Sequence, residues 1–158
     1  MESGLKNKKI LYIDMDNVLV DFPSGIAEIS EQEREQYKGR LDEVPGIFGK
    51  MKPKEGAVDA FTKLCEHYDT YILSTAPWEN PSAWSDKLIW TKQYLGESAH
   101  KRLILSHNKH RNAGDYLIDD RPNNGAKDFV GELIPFRSKE FPDSPFKNWN
   151  DILNYLIP

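Results

Sequence analysis

A chain of 158 residues, 39% hydrophobic and 29% charged, has the length for one domain with a sizeable core and the balance of an ordinary globular protein. Its formal net charge of -4 argues against general nucleic-acid binding, although a local basic patch could still hold a small anion. The single cysteine, Cys65, excludes an intrachain disulfide and points to a reducing compartment.

In chain order, the polar lead MESGLKNKK has neither the apolar stretch nor the small-residue cleavage site of a secretory leader. No apolar run approaches the length of a membrane span, so a cytoplasmic protein without a membrane partner is expected. Lys9 to Ile13, KILYI, predicts a first strand. From about Phe22 to Met51 the chain turns polar, carries EQEREQYKGR and ends in the turn-rich Pro45-Gly46-Ile47-Phe48-Gly49. That stretch predicts a small helical cap inserted after the first strand. With no linker, repeat or low-complexity tract, a single domain is expected, its core residues 1–21 and 52–158 and its cap about 22–51.

Val58, Phe61, Leu64, Cys65 and Tyr68 recur at helical spacing after Gly56. Asp69 to Leu73 predicts the second strand. Pro81 to Leu95 predicts a helix with Trp84, Leu88, Thr91 and Leu95 on its buried side and Gly96 at its C-cap. Arg102–Leu105, Tyr116–Ile118 and Leu133–Phe136 predict three more strands, and Trp149, Ile152, Leu153 and Leu156 form the stripe of a last helix. Strands alternating with helices give an α/β fold around a parallel sheet.

Ligands of such a sheet bind beyond the carboxyl ends of its strands. There ILYI leads into Asp14 and Asp16, TYIL into Ser74 and Thr75, LIL through a short loop into Lys109, and DYLI into Asp119 and Asp120. Taken singly, each group has an ordinary alternative: a strand-end turn, a helix cap, a solvated lysine. Together, four carboxylates at one sheet edge repel unless a cation intervenes, and magnesium prefers oxygen ligands and often shares them with a phosphate. The hydroxyls of Ser74 and Thr75 would donate to phosphate oxygens, and Lys109 would add a fixed positive charge. Ser98 to Gly114 contains no acidic residue, but its other basic side chains read as a solvated face. There is no Gly-x-x-x-x-Gly-Lys-Ser/Thr loop, and no Cys/His spacing suits zinc.

DMDNV (Asp14 to Val18), ILSTAP (Ile72 to Pro77), Lys109 and IDD (Ile118 to Asp120) resemble, in order, the four motifs of the haloacid dehalogenase superfamily of phosphohydrolases. DMDNVLVDF, PGIFGKMKPKEGAVDAF and KHRNAGDYLIDD are similar to the 5'(3')-deoxyribonucleotidase branch, the cytosolic type C nucleotidases, and the resemblance covers nearly the whole chain. It implies a three-layer Rossmann-like sheet. The chain departs in having Asn17 where many relatives carry glycine, Ser74-Thr75-Ala76 in place of Thr-Ser-Pro, and a cap shorter than in the animal enzymes.

The resemblance further implies Mg²⁺-dependent hydrolysis of nucleoside monophosphates through an aspartyl-phosphate on Asp14, with Asp16 as acid and base. The metal would take an Asp14 oxygen, the Asp16 backbone carbonyl and Asp120, while Asp119 orients Lys109. Ser74, Thr75 and Lys109 would hold the phosphoryl oxygens. Phe22, Ile47 and Phe48 are candidates for an apolar wall beside sugar and base, with Trp78 a further candidate. A wall without polar groups would favour deoxyribonucleotides. Alternatives are another phosphomonoester, such as a polynucleotide 3'-phosphate or a sugar phosphate, and a non-enzymatic phospho-receiver. A monomer or homodimer with no stable nucleic-acid partner is expected.

Overall fold

The computed structural model describes residues 7–158; the leading residues 1–6, read above as part of a polar lead, lie outside the described residues. In chain order the elements are β1 (Ile10–Ile13), β2 (Val20–Asp21), α1 (Phe22–Ile26), α2 (Glu31–Gln36), β3 (Lys52–Pro53), α3 (Ala57–His67), β4 (Asp69–Ser74), α4 (Pro81–Leu95), β5 (Leu103–Leu105), β6 (Tyr116–Asp119), β7 (Glu132–Pro135) and α5 (Trp149–Leu156). Five strands make one sheet in the order β5-β4-β1-β6-β7, with every pairing parallel. The α/β architecture read from the sequence is borne out, and strand ends move by a single residue at most.

Side chains alternate across a strand, and this alternation divides the core. Leu11, Ile13, Ile72, Ile118 and Ile134 face one side, where Phe61 and Leu64 of α3, Trp90 of α4 and Trp149 and Ile152 of α5 cover them. Tyr12, Leu73 and Leu117 face the other, covered by Ala126 and Phe129. There the β5–β6 and β6–β7 connections make only short 3-10 turns, at Lys109–Arg111 and Ala126–Asp128, so the second outer layer is thin. Phe61 is fully buried, and removing its ring would cost about 3–5 kcal/mol.

α4 corrects the expected apolar stripe. Its buried positions are Ala83, Lys87, Trp90, Thr91 and Leu95, whereas Leu88 is 45% exposed. Thr91 and Leu95 are buried as expected and Trp84 packs against the core; the buried face is centred on Lys87 and Trp90 rather than on Leu88, because a lysine at its middle interrupts the apolar pattern.

β2 and β3 pair antiparallel, Val20 with Pro53 and Asp21 with Lys52, and residues 22–51 emerge from this two-stranded stem. Asp21 caps α1 by accepting from the Ser24 N–H, and Pro23 sits in the first turn, where its missing N–H costs nothing. α2 begins with a reciprocal Ser30–Glu33 capping box and has no buried residue. Ile29, Val44, Ile47, Phe48 and Met51 join the same hydrophobic cluster as the sheet, so the insertion shares its core with the rest of the domain.

Candidate active site

The first acidic pair sits in a tight loop rather than on a continued strand. The N–H groups of Val18, Leu19 and Val20 all converge on the Met15 carbonyl, and Asn17 donates to the Val20 carbonyl. Asn17 has φ 63°, a left-handed conformation that asparagine and glycine tolerate best, which accounts for asparagine here. The Asp14 N–H donates to the Ile118 carbonyl at 2.9 Å and ties the loop to β6, whose end carries Asp119 and Asp120.

Lys109 reaches this point from a 3-10 turn. Its N–H donates to the Asn124 carbonyl, and Gly125, at φ 85°, packs against His110 so closely that a Cβ would stand 2.2 Å from Nδ1. The ammonium donates to Asp14 Oδ1 at 2.9 Å and to Asp119 Oδ2 at 2.6 Å, with all three side chains buried. Asp119 Oδ1 accepts from the Arg121 N–H, so both oxygens of Asp119 are engaged.

Ser74 closes β4 and is fully buried. Its Oγ accepts from the Lys87 ammonium at 2.7 Å, and Lys87 also donates to Asp16 Oδ2 at 3.1 Å. Thr75 corrects an expectation: its hydroxyl donates to the Ser106 carbonyl at 2.7 Å and ties the β4 and β5 loops together. That proton is taken up within the protein.

Four carboxylates thus meet two ammonium groups, leaving two negative charges uncompensated when all ionise. Burial favours a neutral Asp14, but Lys109 beside it prevails, and its pKa lies below the ordinary carboxylate value. Burial prevails at Asp16, whose pKa is raised despite Lys87. Burial and the charge of Asp14 push Asp119 up to about 7 and, with Asp119 adding to them, Asp120 up to about 9. Burial also works against the Lys109 ammonium, but Asp14 and Asp119 outweigh it and raise its pKa above the usual lysine range.

Asp14, Asp119 and Asp120 each bring an oxygen within 4.8 Å of the others. Asp120 Oδ1 and Asp16 Oδ1 are buried without a hydrogen-bond partner. Unpartnered acceptors, an all-oxygen donor set and a deficit of two positive charges fit a divalent cation, and Mg²⁺ accepts such ligands. Both oxygens of Asp119 are taken up by Lys109 and the Arg121 N–H, whereas Asp16 and Asp120 each keep an oxygen without a protein partner.

A cleft of about 490 Å³ opens beside these groups, lined by Asp16, Asn17, Phe22, Asp120 and Arg121 together with Gly39–Asp42 of the insertion. Phe22 lines it. Ile47 and Phe48 do not: Ile47 is fully buried, and the Phe48 ring lies behind Phe22, edge-on at 5.8 Å, and beneath the Lys87 ammonium. The expected apolar wall is reduced to Phe22, because both other side chains anchor the insertion in the core. Arg40, Asp42 and Arg121 make the cleft polar, so it lacks the wall without polar groups that would favour deoxyribonucleotides. Trp78, 75% exposed, instead packs with Trp84 and His107 on the β4 and β5 loops.

Sequence reasoning missed Lys87, Arg40 and Arg121. A signal for Lys87 did exist, in its spacing of four, three and four residues from Ala83, Trp90 and Thr91.

A parallel sheet with two acidic loops, a hydroxyl and a lysine at its carboxyl edge defines a haloacid dehalogenase-type hydrolase. Among solved structures, the HAD-hydrolase YfnB from Bacillus subtilis, described as bound to magnesium, superposes with a TM-score of 0.66 over 96% of this chain and 99% of that one, at 12% identity. A haloacid dehalogenase-like hydrolase from Streptococcus pneumoniae gives 0.55 over 95% and 91%, also at 12% identity. Residues 28–152 match the family of 5' nucleotidase, deoxy (pyrimidine), cytosolic type C proteins, and the chain belongs to that family. A protein of Vibrio phage KVP40, provisionally named a 5'(3')-deoxyribonucleotidase, is 58% identical over 150 residues, covering 95% of this chain and 85% of its own. A Staphylococcus aureus protein of the same name is 29% identical over 175 residues, covering 95% and 96%. The protein is therefore a phosphoric monoester hydrolase of the nucleotidase type. Among the described residues, no helix is long and apolar enough to cross a membrane.

Proposed function

We propose that the protein hydrolyses (deoxy)ribonucleoside monophosphates to nucleoside and phosphate through a phosphoryl group carried on Asp14. The observation that carries this reading is the environment of Asp14: it stays ionised at the buried end of β1, against the Lys109 ammonium at 2.9 Å. An ionised, desolvated carboxylate is a competent nucleophile.

In the first half-reaction Asp14 forms a bond to phosphorus as the P–O5' bond breaks. Asp16, whose pKa is raised, gives a proton to the departing alkoxide. In the second half-reaction Asp16 takes a proton from water, which attacks phosphorus and returns Asp14 as a free carboxylate. Ser74 and Lys109 donate to the transferring oxygens, and their preorganised charge stabilises the transition state. Asp14, Asp120 and the Asp16 backbone carbonyl would hold Mg²⁺, which when bound supplies positive charge against the phosphoryl oxygens. Residues 22–51 act as a cap, with Phe22 against the sugar or base.

Support for a nucleotide comes from the family and from the named relatives. The test is phosphate release from a panel of nucleoside 5'- and 3'-monophosphates, deoxy and ribo, with Mg²⁺ and with chelator. Hydrolysis of these esters in Mg²⁺ alone is expected. A protein that hydrolyses only sugar phosphates or phosphorylated oligonucleotides would overturn the substrate assignment.

A further inference from the structure

Lys87 is 0% exposed, in the middle of a fifteen-residue helix. An ammonium has three N–H donors and no acceptor, and burying it without partners costs several kcal/mol. Its partners are Asp16 Oδ2 at 3.1 Å, Ser74 Oγ at 2.7 Å and the face of Phe48, whose ring centroid lies 4.7 Å away. Protein groups thus take two of its three N–H donors, and the ammonium also rests against the Phe48 face.

We infer that Lys87 is a positioning residue: it holds the Asp16 carboxylate for proton transfer to the leaving group and orients the Ser74 hydroxyl toward the phosphoryl group. The inference rests on the roles proposed above for Asp14 and Asp16. Lys87 cannot accept a hydrogen bond, so Ser74 Oγ is the acceptor in their contact. The Ser74 proton must point elsewhere, and among the described residues it finds no protein acceptor. Asp16 is held by Oδ2, which leaves its unpartnered Oδ1 to carry the proton.

The same lysine couples the site to the insertion. α4, which bears it, holds the insertion through four hydrogen bonds: Asn80 Nδ2, at its N-cap, donates to the Asp42 and Val44 carbonyls, Gly46 N–H donates to Ser82 Oγ, and Trp90 Nε1 donates to the Met51 carbonyl. Phe48 is brought beneath the ammonium by this docking.

The experiment compares kcat/KM of Lys87→Met and Phe48→Leu on a nucleoside 5'-monophosphate and on p-nitrophenyl phosphate. This ratio reports only steps up to formation of the phosphoryl-enzyme, and p-nitrophenolate leaves without a proton. For Lys87→Met the nucleotide value should fall at least about 100-fold, the size of a lost general acid, and the p-nitrophenyl phosphate value less than about 10-fold. Phe48→Leu should show the same imbalance at smaller amplitude, and it keeps the test open if the methionine variant does not fold. Equal losses on both esters would overturn the role of Lys87 in proton transfer to the leaving group, whether or not the melting temperature falls, while leaving the Asp14 mechanism standing. Failure of the parent protein on both esters would remove that mechanism, and this inference with it.

Discussion

The Lys109 ammonium lies 2.9 Å from Asp14 Oδ1, although 95 residues separate them in the chain. Parallel pairing of β1 with β6 and the clasp of the Asn124 carbonyl on the Lys109 N–H bring the two together. Asp119 shares the ammonium at 2.6 Å, so one cation serves two buried carboxylates.

Replacing Lys109 by methionine strands both carboxylates. Without added metal, this variant should lose about 3–5 kcal/mol of stability, the cost of breaking a buried pair. Denaturant titration of the two proteins in chelator measures it. An unchanged midpoint would mean that the pair holds nothing in place.

Acid should stabilise the metal-free protein. Asp119 and Asp120 rise from an ordinary 3.8 to about 7 and about 9 in the folded state. Below 3.8 both states hold these protons and the contribution is whole. Between 3.8 and the folded values, only the folded protein keeps them, so stability is lost as pH climbs through this window. Melting temperature in chelator should therefore fall from about pH 4 to about pH 9 more steeply than in the Asp119→Asn and Asp120→Asn variants. A parent slope no steeper than theirs would contradict the assignment.

Added Mg²⁺ should reverse that loss, because a bound cation keeps the carboxylates ionised. At a concentration of 100 Kd the gain is about 2.7 kcal/mol, or roughly 5–11 °C in melting temperature for a domain of this size. Asp120→Asn should blunt the shift. Differential scanning calorimetry with and without the metal decides the matter, and an equal shift in parent and variant would place the ion elsewhere.

Asn17 sits at φ 63°, next to Asp16. Valine there should cost about 1–2 kcal/mol through its β-branch, whereas glycine should stay within about 1 kcal/mol of the parent. Thermal melts of Asn17→Val and Asn17→Gly test the backbone argument apart from activity.

Phe22 is the aromatic side chain of the cleft lining. Phe22→Ala should raise KM for nucleotides about 2- to 10-fold with kcat little changed, in keeping with a ring contact made equally in ground and transition states. A fall in kcat at constant KM would argue against that role.

The sheet and the acidic loops were legible in the sequence because each strand is a short apolar run ending in a polar pair. Lys87 was hidden by the opposite circumstance. A charged residue at the middle of an amphipathic helix reads as surface until its neighbours at helical spacing are known to be buried. Ile47 and Phe48 were visible as apolar residues, but no local pattern tells a residue that lines a cleft from one that anchors its wall. The proton of Thr75 was assignable only once β5 had placed the Ser106 carbonyl 2.7 Å away.

The most direct test traps the phosphoryl group on residue 14. Acid quench during turnover of a nucleoside monophosphate, borohydride reduction and peptide mass spectrometry should find reduction at Asp14 alone. The Asp14→Asn variant should show none and should turn over at least about 10⁴-fold more slowly. Full-rate hydrolysis by that variant, or turnover of the parent with Asp14 never reduced, would contradict the account.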